Sequence, residues 1–371
     1  MGKSYDVAIA GAGIVGAACA AECAAAGLSV AILEPGPIGG GATAAGMGHL
    51  VVMDDSPAQM ALTRYSCDLW RTLRPALPAD VEYLDCGTLW VAADEEEMAE
   101  VHRKQRLYDA AGVRAEIVDG RALAAAEPHL RAGLAGALLV PDDATIYPPC
   151  AARFLVAEAC RHGAVLLRER AAALSGGAVR LPDGDEFSAG IVVNALGAWS
   201  PELTADIPVR KRKGHLVITD RYPGLVRHAL VELGYLKSAH STTANSVAFN
   251  AQPRKTGQVL LGSSRQFGSE GPEVEAAMLG RMLRRAEEYM PGLAETVAIR
   301  TWTGFRAATP DKLPLIGPSA TDERLYLATG HEGLGITTSL ATGKLVADMI
   351  AGRESAIPRE PYLPGREVHH A

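Results

Sequence analysis

One stretch constrains the fold of this 371-residue chain more than any other: Tyr5-Asp6-Val7-Ala8-Ile9-Ala10-Gly11-Ala12-Gly13-Ile14-Val15-Gly16. An apolar run of strand character meets glycines spaced G-x-G-x-x-G, and a helix of small residues follows, from about Ile14 to Ala26. Each glycine has a steric task if the backbone is to meet a pyrophosphate. Gly11 permits the tight turn, Gly13 lets the main chain approach, and Gly16 allows the helix to pack closely on the strand. Around Ile14 and Val15 the helix turns its unpaired N–H groups and positive dipole end toward the phosphates, worth about 0.3–1 kcal/mol per charge at an exposed terminus. A second strand, Ser29 to Leu33, ends at Glu34, an acid at the spacing that binds a ribose hydroxyl pair. Strand, glycines, helix, strand and acid arrive in the order of a dinucleotide-binding unit. The plainer reading is a glycine-rich turn in an ordinary α/β domain.

The chain is long enough for one large or two ordinary domains with an ample core. A net charge of −7 gives no case for nucleic acid, whose binders present a basic face. The basic run Arg210 to Lys213 reads as a solvated strand end. Six cysteines (Cys19, Cys23, Cys67, Cys86, Cys150, Cys160) lack paired metal-ligand spacing, and no metal site is expected. Cys19 and Cys23 share one face of the first helix, where buried small residues are the ordinary case. A reduced, cytoplasmic setting follows as the expectation, with peripheral contact at the inner membrane face left open. Val7 to Leu33 is apolar, but its glycines and Glu22 break it into strand, turn and helix, so it does not read as a membrane span. Nothing ahead of it reads as a secretory leader.

Beyond Glu34, the run Pro35-Gly36-Pro37-Ile38-Gly39-Gly40-Gly41-Ala42-Thr43-Ala44-Ala45-Gly46-Met47-Gly48-His49 offers little from which to build a core. Small residues at that density suit backbone wrapped around a ligand. Ser56-Pro57 opens a helix to about Leu73, with a capping oxygen and a proline at the first position. Strands follow around Glu82 to Ala92, and Asp94-Glu95-Glu96-Glu97 opens a helix with acids at the favourable dipole end. Asp142-Asp143, beside Tyr147-Pro148-Pro149, reads as a turn and not as a metal pair. A helix from about Cys150 to Arg161, a short strand at Ala164 to Leu167 and a hairpin at Asp183-Gly184 come next. Ile191 to Ala195 is a buried strand running into Leu196-Gly197-Ala198-Trp199-Ser200. From Pro208 to about Gly304 the pattern is strands, broken by one helix at about Glu273 to Met290, which predicts a mixed, mainly antiparallel sheet. Small residues return at Ala328-Thr329-Gly330-His331-Glu332-Gly333-Leu334-Gly335-Ile336, before a last helix to about Ile350.

Three glycine-rich segments at the start, middle and end of the chain resemble the superfamily of glycine oxidase, sarcosine oxidase and D-amino-acid oxidase. The specific part lies near the C-terminus: Gly304-Phe305-Arg306-Ala307-Ala308-Thr309-Pro310-Asp311-Lys312-Leu313-Pro314-Leu315-Ile316-Gly317-Pro318, then Gly330 to Ile336. The resemblance covers nearly the whole chain. Within the superfamily the chain resembles the bacterial subset that contains hydrogen cyanide synthase catalytic subunits and D-hydroxyproline dehydrogenases, and Gly46-Met47-Gly48-His49-Leu50-Val51-Val52-Met53-Asp54-Asp55-Ser56-Pro57 favours the hydroxyproline enzymes. The resemblance implies an α/β fold: a Rossmann-like FAD-binding domain (1–83, 147–205 and 305–371) with an inserted substrate domain (84–146 and 206–304). Some members attach flavin through a C-terminal cysteine. All six cysteines here lie at or before position 160, so noncovalent FAD is expected.

The resemblance also distributes roles. Gly11, Gly13, Ile14, Val15, Gly16, Glu34, Thr43 and Ala44 fall to the ADP half. Met47, Gly48, Gly197, Gly330, Gly333, Leu334, Gly335 and Ile336 fall to the flavin side. Oxidising an amino acid at its α-carbon requires a cation for the carboxylate, and the family's carboxylate-binding arginine matches Arg306. A guanidinium grips a carboxylate by two points and so fixes orientation as well as charge. His49 follows the second glycine loop and is a candidate to orient substrate or modulate amine protonation, since histidine titrates near neutrality. Asn250 stands where glycine oxidases have a substrate-facing tyrosine, a departure that leaves Tyr235 or His240 as alternative partners. Arg265 is a further candidate. The expected reaction is oxidation of a small D-amino acid or cyclic secondary amine, cis-4-hydroxy-D-proline first, to the imino acid. Glycine or sarcosine oxidation, an NAD-dependent dehydrogenase and a structural flavin-binding subunit are the alternatives. Oxygen, a quinone or a partner protein is the expected electron acceptor, and homo- and hetero-oligomers are both compatible with the resemblance.

Overall fold

A computed structural model of the chain describes residues 4–234 and 245–367. Its early strands are β1 (Ser4–Ala10), β2 (Val30–Leu33), β3 (His49–Leu50), β4 (Thr88–Ala92), β5 (Glu116–Asp119) and β6 (Gly136–Val140). Then come β7 (Ala144–Thr145), β8 (Val165–Leu167), β9 (Ala173–Ser175), β10 (Ala178–Arg180), β11 (Glu186–Asn194) and β12 (Arg210–Arg221). The last are β13 (Ala229–Glu232), β14 (Ser246–Pro253), β15 (Gln258–Arg265), β16 (Ala298–Ala308), β17 (Leu315–Pro318) and β18 (Leu325–Thr329).

The first sheet runs β17-β18-β11-β1-β2-β8, with β9 and β10 as a hairpin added to β11. From β18 to β8 every pairing is parallel. Such a sheet is buried on both faces, which is why Val7 to Ala10 of β1 and all of β2 read as unbroken apolar runs. Helix α1 (Ile14–Ala25) packs on this sheet against α5 (Pro148–Arg161) and α7 (Gly335–Ile350). Small residues make the contact close: a Cβ on Gly343 would lie 2.7 Å from the carbonyl oxygen of Ala18. Helix α2 (Pro57–Leu73) lies on α7, its first turn held by Ser56 Oγ, which accepts the Gln59 N–H. Each fully buried Leu, Ile or Val of this core contributes about 1.5–3 kcal/mol.

The second sheet runs β16-β12-β15-β14-β13-β4-β6-β5 and is antiparallel except where β13 meets β4. The fold is therefore α/β with a mixed, mainly antiparallel second sheet, as the strand patterns predict. Helices α3 (Glu95–Ala110), capped by Asp94, and α4 (Gly120–Ala126) flank its β4–β6 end. Helix α6 (Ala276–Tyr289) covers one face with Met278, Met282, Ala286 and Tyr289, the last stacked on Phe249 at 4.8 Å. The opposite face is left for a cavity. The boundary expected at 304/305 falls inside β16, which continues to Ala308.

Candidate active site

Where β1 meets α1, the three glycines are set by contact. Gly11 has φ +101°, and a Cβ there would sit 2.8 Å from the Ala195 carbonyl oxygen. A Cβ on Gly16 would collide with the Gly11 carbonyl oxygen. At Gly13 a Cβ would meet only Thr43 Oγ1, at 3.5 Å, and would project into a cavity of about 900 Å³. That volume lies within the roughly 300–1,000 Å³ of small-molecule sites. Thr43 Oγ1 accepts the Ile14 N–H (3.0 Å), and Glu34 accepts the N–H groups of Ala12 (3.0 Å) and Gly36 (2.9 Å). First-turn N–H groups at Val15 and Gly16 have no intrahelical acceptor. Gly13, Ile14, Val15, Glu34 and Thr43 line the cavity with Gly11. Gly16 does not; its task is the α1–β1 contact. Ala44 is exposed and off the lining, and Gly330 packs on Thr309 instead.

Met47, Gly48, Gly197, Gly333, Leu334, Gly335 and Ile336 line the same cavity. Helix α7 thus begins at the wall, a second helix N-terminus aimed at the space that α1 faces. His331 is buried beside it, with Nε2 3.0 Å from Thr342 Oγ1, and burial pushes its imidazole down to about 3.

Arg306 reaches the cavity from β16. Its Nη1 donates to the Ser264 carbonyl (2.9 Å), and among the described residues no carboxylate lies within ion-pair distance of it. Two glycines admit the side chain. A Cβ on Gly214 would approach Nη1 to 2.6 Å, and one on Gly333 would approach Cδ to 3.1 Å. Burial, then the Arg212 guanidinium, lowers Arg306 to about 10 while Glu332 opposes; it stays charged at neutral pH.

The basic run at 210–213 corrects an expectation. Arg210 is exposed, but Arg212 and Lys213 are buried. Arg212 is the register partner of Arg306, lines the cavity and forms an ion pair with Glu332. Lys213 pairs with Glu275 at 3.1 Å. Arg265 also lines the cavity, and burial beside Arg306 and Arg212 depresses its guanidinium.

His49 lies at the cavity wall on β3, its carbonyl accepting from Thr337 Oγ1 (2.8 Å) and its Nε2 2.7 Å from Thr88 Oγ1. Burial pushes it down to about 4, so it is neutral at physiological pH. The expected titration near neutrality is thereby corrected. Thr88 also stabilises the charged form of Asp143, whose Oδ1 accepts the Val52 N–H at 3.3 Å. Burial nonetheless raises Asp143 to about 7. The 142–143 pair does lie at a turn, but its second acid is interior.

Asn250 lines the cavity, while Tyr235 and His240 lie outside the described residues. The sequence reading missed Trp90, Gln252, Arg212 and Glu332, which line it too. Only Gln252 left a trace, two residues beyond Asn250 and so on the same strand face. None of the six cysteines lines the cavity. Among the described residues no group of three His, Cys, Asp or Glu could hold a metal, and no helix is long and apolar enough to cross a membrane.

A glycine cradle under a helix N-terminus, joined in one cavity to a half-buried arginine on a second sheet, is the arrangement of a dinucleotide-cofactor enzyme. The chain belongs to the DAO family of FAD-dependent oxidoreductases, whose model matches residues 6–349. It is 29% identical to a glycine oxidase of Geobacillus kaustophilus, over 99% of this chain and 98% of that protein. It is 27% identical to hydrogen cyanide synthase subunit HcnC of Pseudomonas aeruginosa, over 99% and 97%. The crystal structure of glycine oxidase from Geobacillus kaustophilus superposes with a TM-score of 0.88 at 28% identity, covering 99% of this chain and 100% of that one. The cofactor is FAD, and the NAD-dependent alternative is set aside. The residues fit it, since the space a Cβ on Gly13 would take is left open beside unpaired N–H groups.

Proposed function

We propose that the protein oxidises a small D-amino acid or cyclic secondary amine to the imino acid, with cis-4-hydroxy-D-proline as the first candidate. Bound FAD supplies the acceptor for the hydride equivalent leaving the α-carbon. In this reading Gly11, Gly13 and the α1 N-terminus hold the pyrophosphate, Glu34 meets the ribose, and residues 333–336 border the flavin. Segments 1–83, 147–205 and 305–371 carry the cofactor, and 84–146 and 206–304 shape the substrate side.

The carrying observation is Arg306: a half-buried guanidinium, without a carboxylate partner among the described residues, in the same cavity as the glycine cradle. Its fork binds the substrate carboxylate and fixes the α-carbon. Glu332 balances Arg212, which keeps the neighbouring positive charge from competing for the ligand. His49, held neutral, accepts or donates a hydrogen bond without adding charge. The glycine oxidases among the similar proteins favour a second reading, oxidation of glycine or sarcosine.

Anaerobic mixing with cis-4-hydroxy-D-proline, D-proline, glycine, sarcosine and D-alanine, followed by air, tests both. Bleaching of the flavin by the cyclic D-amines supports the first reading, and bleaching only by glycine or sarcosine supports the second. A flavin that stays oxidised with all five rejects both. Recovery of colour in air separates oxygen from a quinone or a partner protein as the acceptor.

A further inference from the structure

One face of the second sheet presents a row of side chains whose polar atoms lack partners. Trp90 on β4 is the register partner of Val231 on β13, and Val231 of Asn250 on β14. Register partners lie on one face, and Gln252, two residues beyond Asn250, joins them. All four line the cavity. Trp90 is 2% exposed and Gln252 0%. Among the described residues, Trp90 Nε1, Asn250 Oδ1 and both Nε2 and Oε1 of Gln252 have no hydrogen-bond partner. Native interiors pair nearly all such atoms, so a cluster facing one cavity calls for a ligand group.

The chemistry of that group is readable. An indole N–H only donates, a glutamine amide donates and accepts, and Asn250 Oδ1 accepts. None of the three is charged. A hydroxyl, which both donates and accepts, matches the set; a carboxylate would leave the acceptors facing negative charge. Strand order separates this set from three arginines of the cavity. Arg306, Arg212 and Arg265 sit on β16, β12 and β15, and the neutral polar groups follow on β14 and β4. Because Arg306 bonds the carbonyl of Ser264 on β15, its guanidinium lies next to β14. Trp90, on β4, is three strand spacings from β15, about 14 Å at the backbone, whereas Asn250 and Gln252 are one spacing away, about 5 Å. That is the reach of a small substrate.

We propose that Asn250, Gln252 and Trp90 form a neutral polar subsite that binds a hydroxyl group on the substrate, remote from its carboxylate. The subsite makes the enzyme prefer hydroxylated substrates over their plain counterparts. It rests on the reading that Arg306 holds a substrate carboxylate in this cavity. A site built to pair a hydroxyl rejects the analogue lacking it, because the protein's own polar atoms are then left bare.

The test uses the FAD-loaded full chain and matched pairs: cis-4-hydroxy-D-proline with D-proline, and D-serine with D-alanine. The ratio of kcat/KM within each pair is measured, with rates of anaerobic flavin reduction. Wild type should favour the hydroxylated member of at least one pair by roughly 10²-fold or more. Gln252→Leu, close in volume and without polar atoms, should shrink that ratio to a few-fold by slowing the hydroxylated member far more than the plain one. Trp90→Phe, which removes the indole N–H together with one ring of the indole, should shrink it less and serves if Gln252→Leu does not fold. Equal rates within both pairs in wild type, or variants that slow both members by one factor, overturn the subsite but leave amine oxidation standing. No flavin reduction by any amino acid overturns the oxidation reading, and the subsite falls with it.

Discussion

The guanidinium of Arg306 occupies the space where a side chain on residue 214 would begin: a Cβ on Gly214 would lie 2.6 Å from its Nη1. Gly214 is on β12, two residues beyond Arg212, the register partner of Arg306. Gly333 clears the other side, with φ +100°. The position of the cation is thus set by two absent side chains from distant parts of the chain.

Gly214→Ala should retain fold and flavin, because the atom in conflict ends a flexible side chain. The displaced guanidinium should instead raise KM and lower kcat/KM, by about 10-fold or more. Steady-state kinetics with flavin content checks this; unchanged kinetics would remove Gly214 from the positioning of Arg306.

Arg306→Ala should keep FAD and lose about 10²–10³-fold in kcat/KM, the loss expected for two charge-assisted hydrogen bonds at about 1.5–3 kcal/mol each with incomplete additivity. Arg306→Lys should recover little, since an ammonium keeps the charge but not the fork. Turnover that survives both changes would place the carboxylate elsewhere.

Those positions differ in how legible they were. Gly11, Gly13 and Gly16 follow a steric rule that shows in spacing alone, and Arg306 stood in a recognisable segment. Arg212 was hidden because the run at 210–213 reads as one charged patch. A strand sends neighbouring residues to opposite faces, so Arg212 faces the cavity and Lys213 meets Glu275. Trp90 lies 160 positions before Asn250, and only the parallel β4–β13 pairing brings it alongside. Sheet order depends on long-range pairing that no local pattern records. The neutrality of His49 was likewise invisible, being a product of burial.

Asp143 should leave a mark on stability. Its folded carboxyl, raised to about 7, holds a proton that the unfolded chain releases near 4. Stability from this group is therefore full at low pH and lost as pH rises toward 7. His49 and His331, lowered to about 4 and about 3, act oppositely: their share is full above about 6.5 and lost as pH falls. Asp143→Asn keeps the Oδ1 that accepts the Val52 N–H and removes only the titration. The difference in Tm, variant minus wild type, should grow in the variant's favour from pH 5 to pH 8. A constant offset would mean that Asp143 does not titrate in this window.

Gly16 and Gly13 should fail differently when replaced by alanine. Gly16→Ala drives a Cβ into the Gly11 backbone and should unfold or strongly destabilise the protein. Gly13→Ala has room within the fold and should leave a folded protein that binds FAD more weakly, its methyl group filling the cradle. Circular dichroism with flavin titration separates the two; equal flavin affinity in Gly13→Ala and wild type would move the pyrophosphate away from this turn.

The central claim is that Arg306 holds the carboxylate of an amine whose α-carbon is oxidised in this cavity. Anaerobic stopped-flow reduction of the bound flavin by cis-4-hydroxy-D-proline and by its methyl ester tests it most directly. The free acid should bleach the flavin, and the ester should do so about 10²-fold more slowly or not at all, a gap that closes in Arg306→Ala. A flavin that stays oxidised with the acid, or is reduced equally fast by the ester, would contradict it.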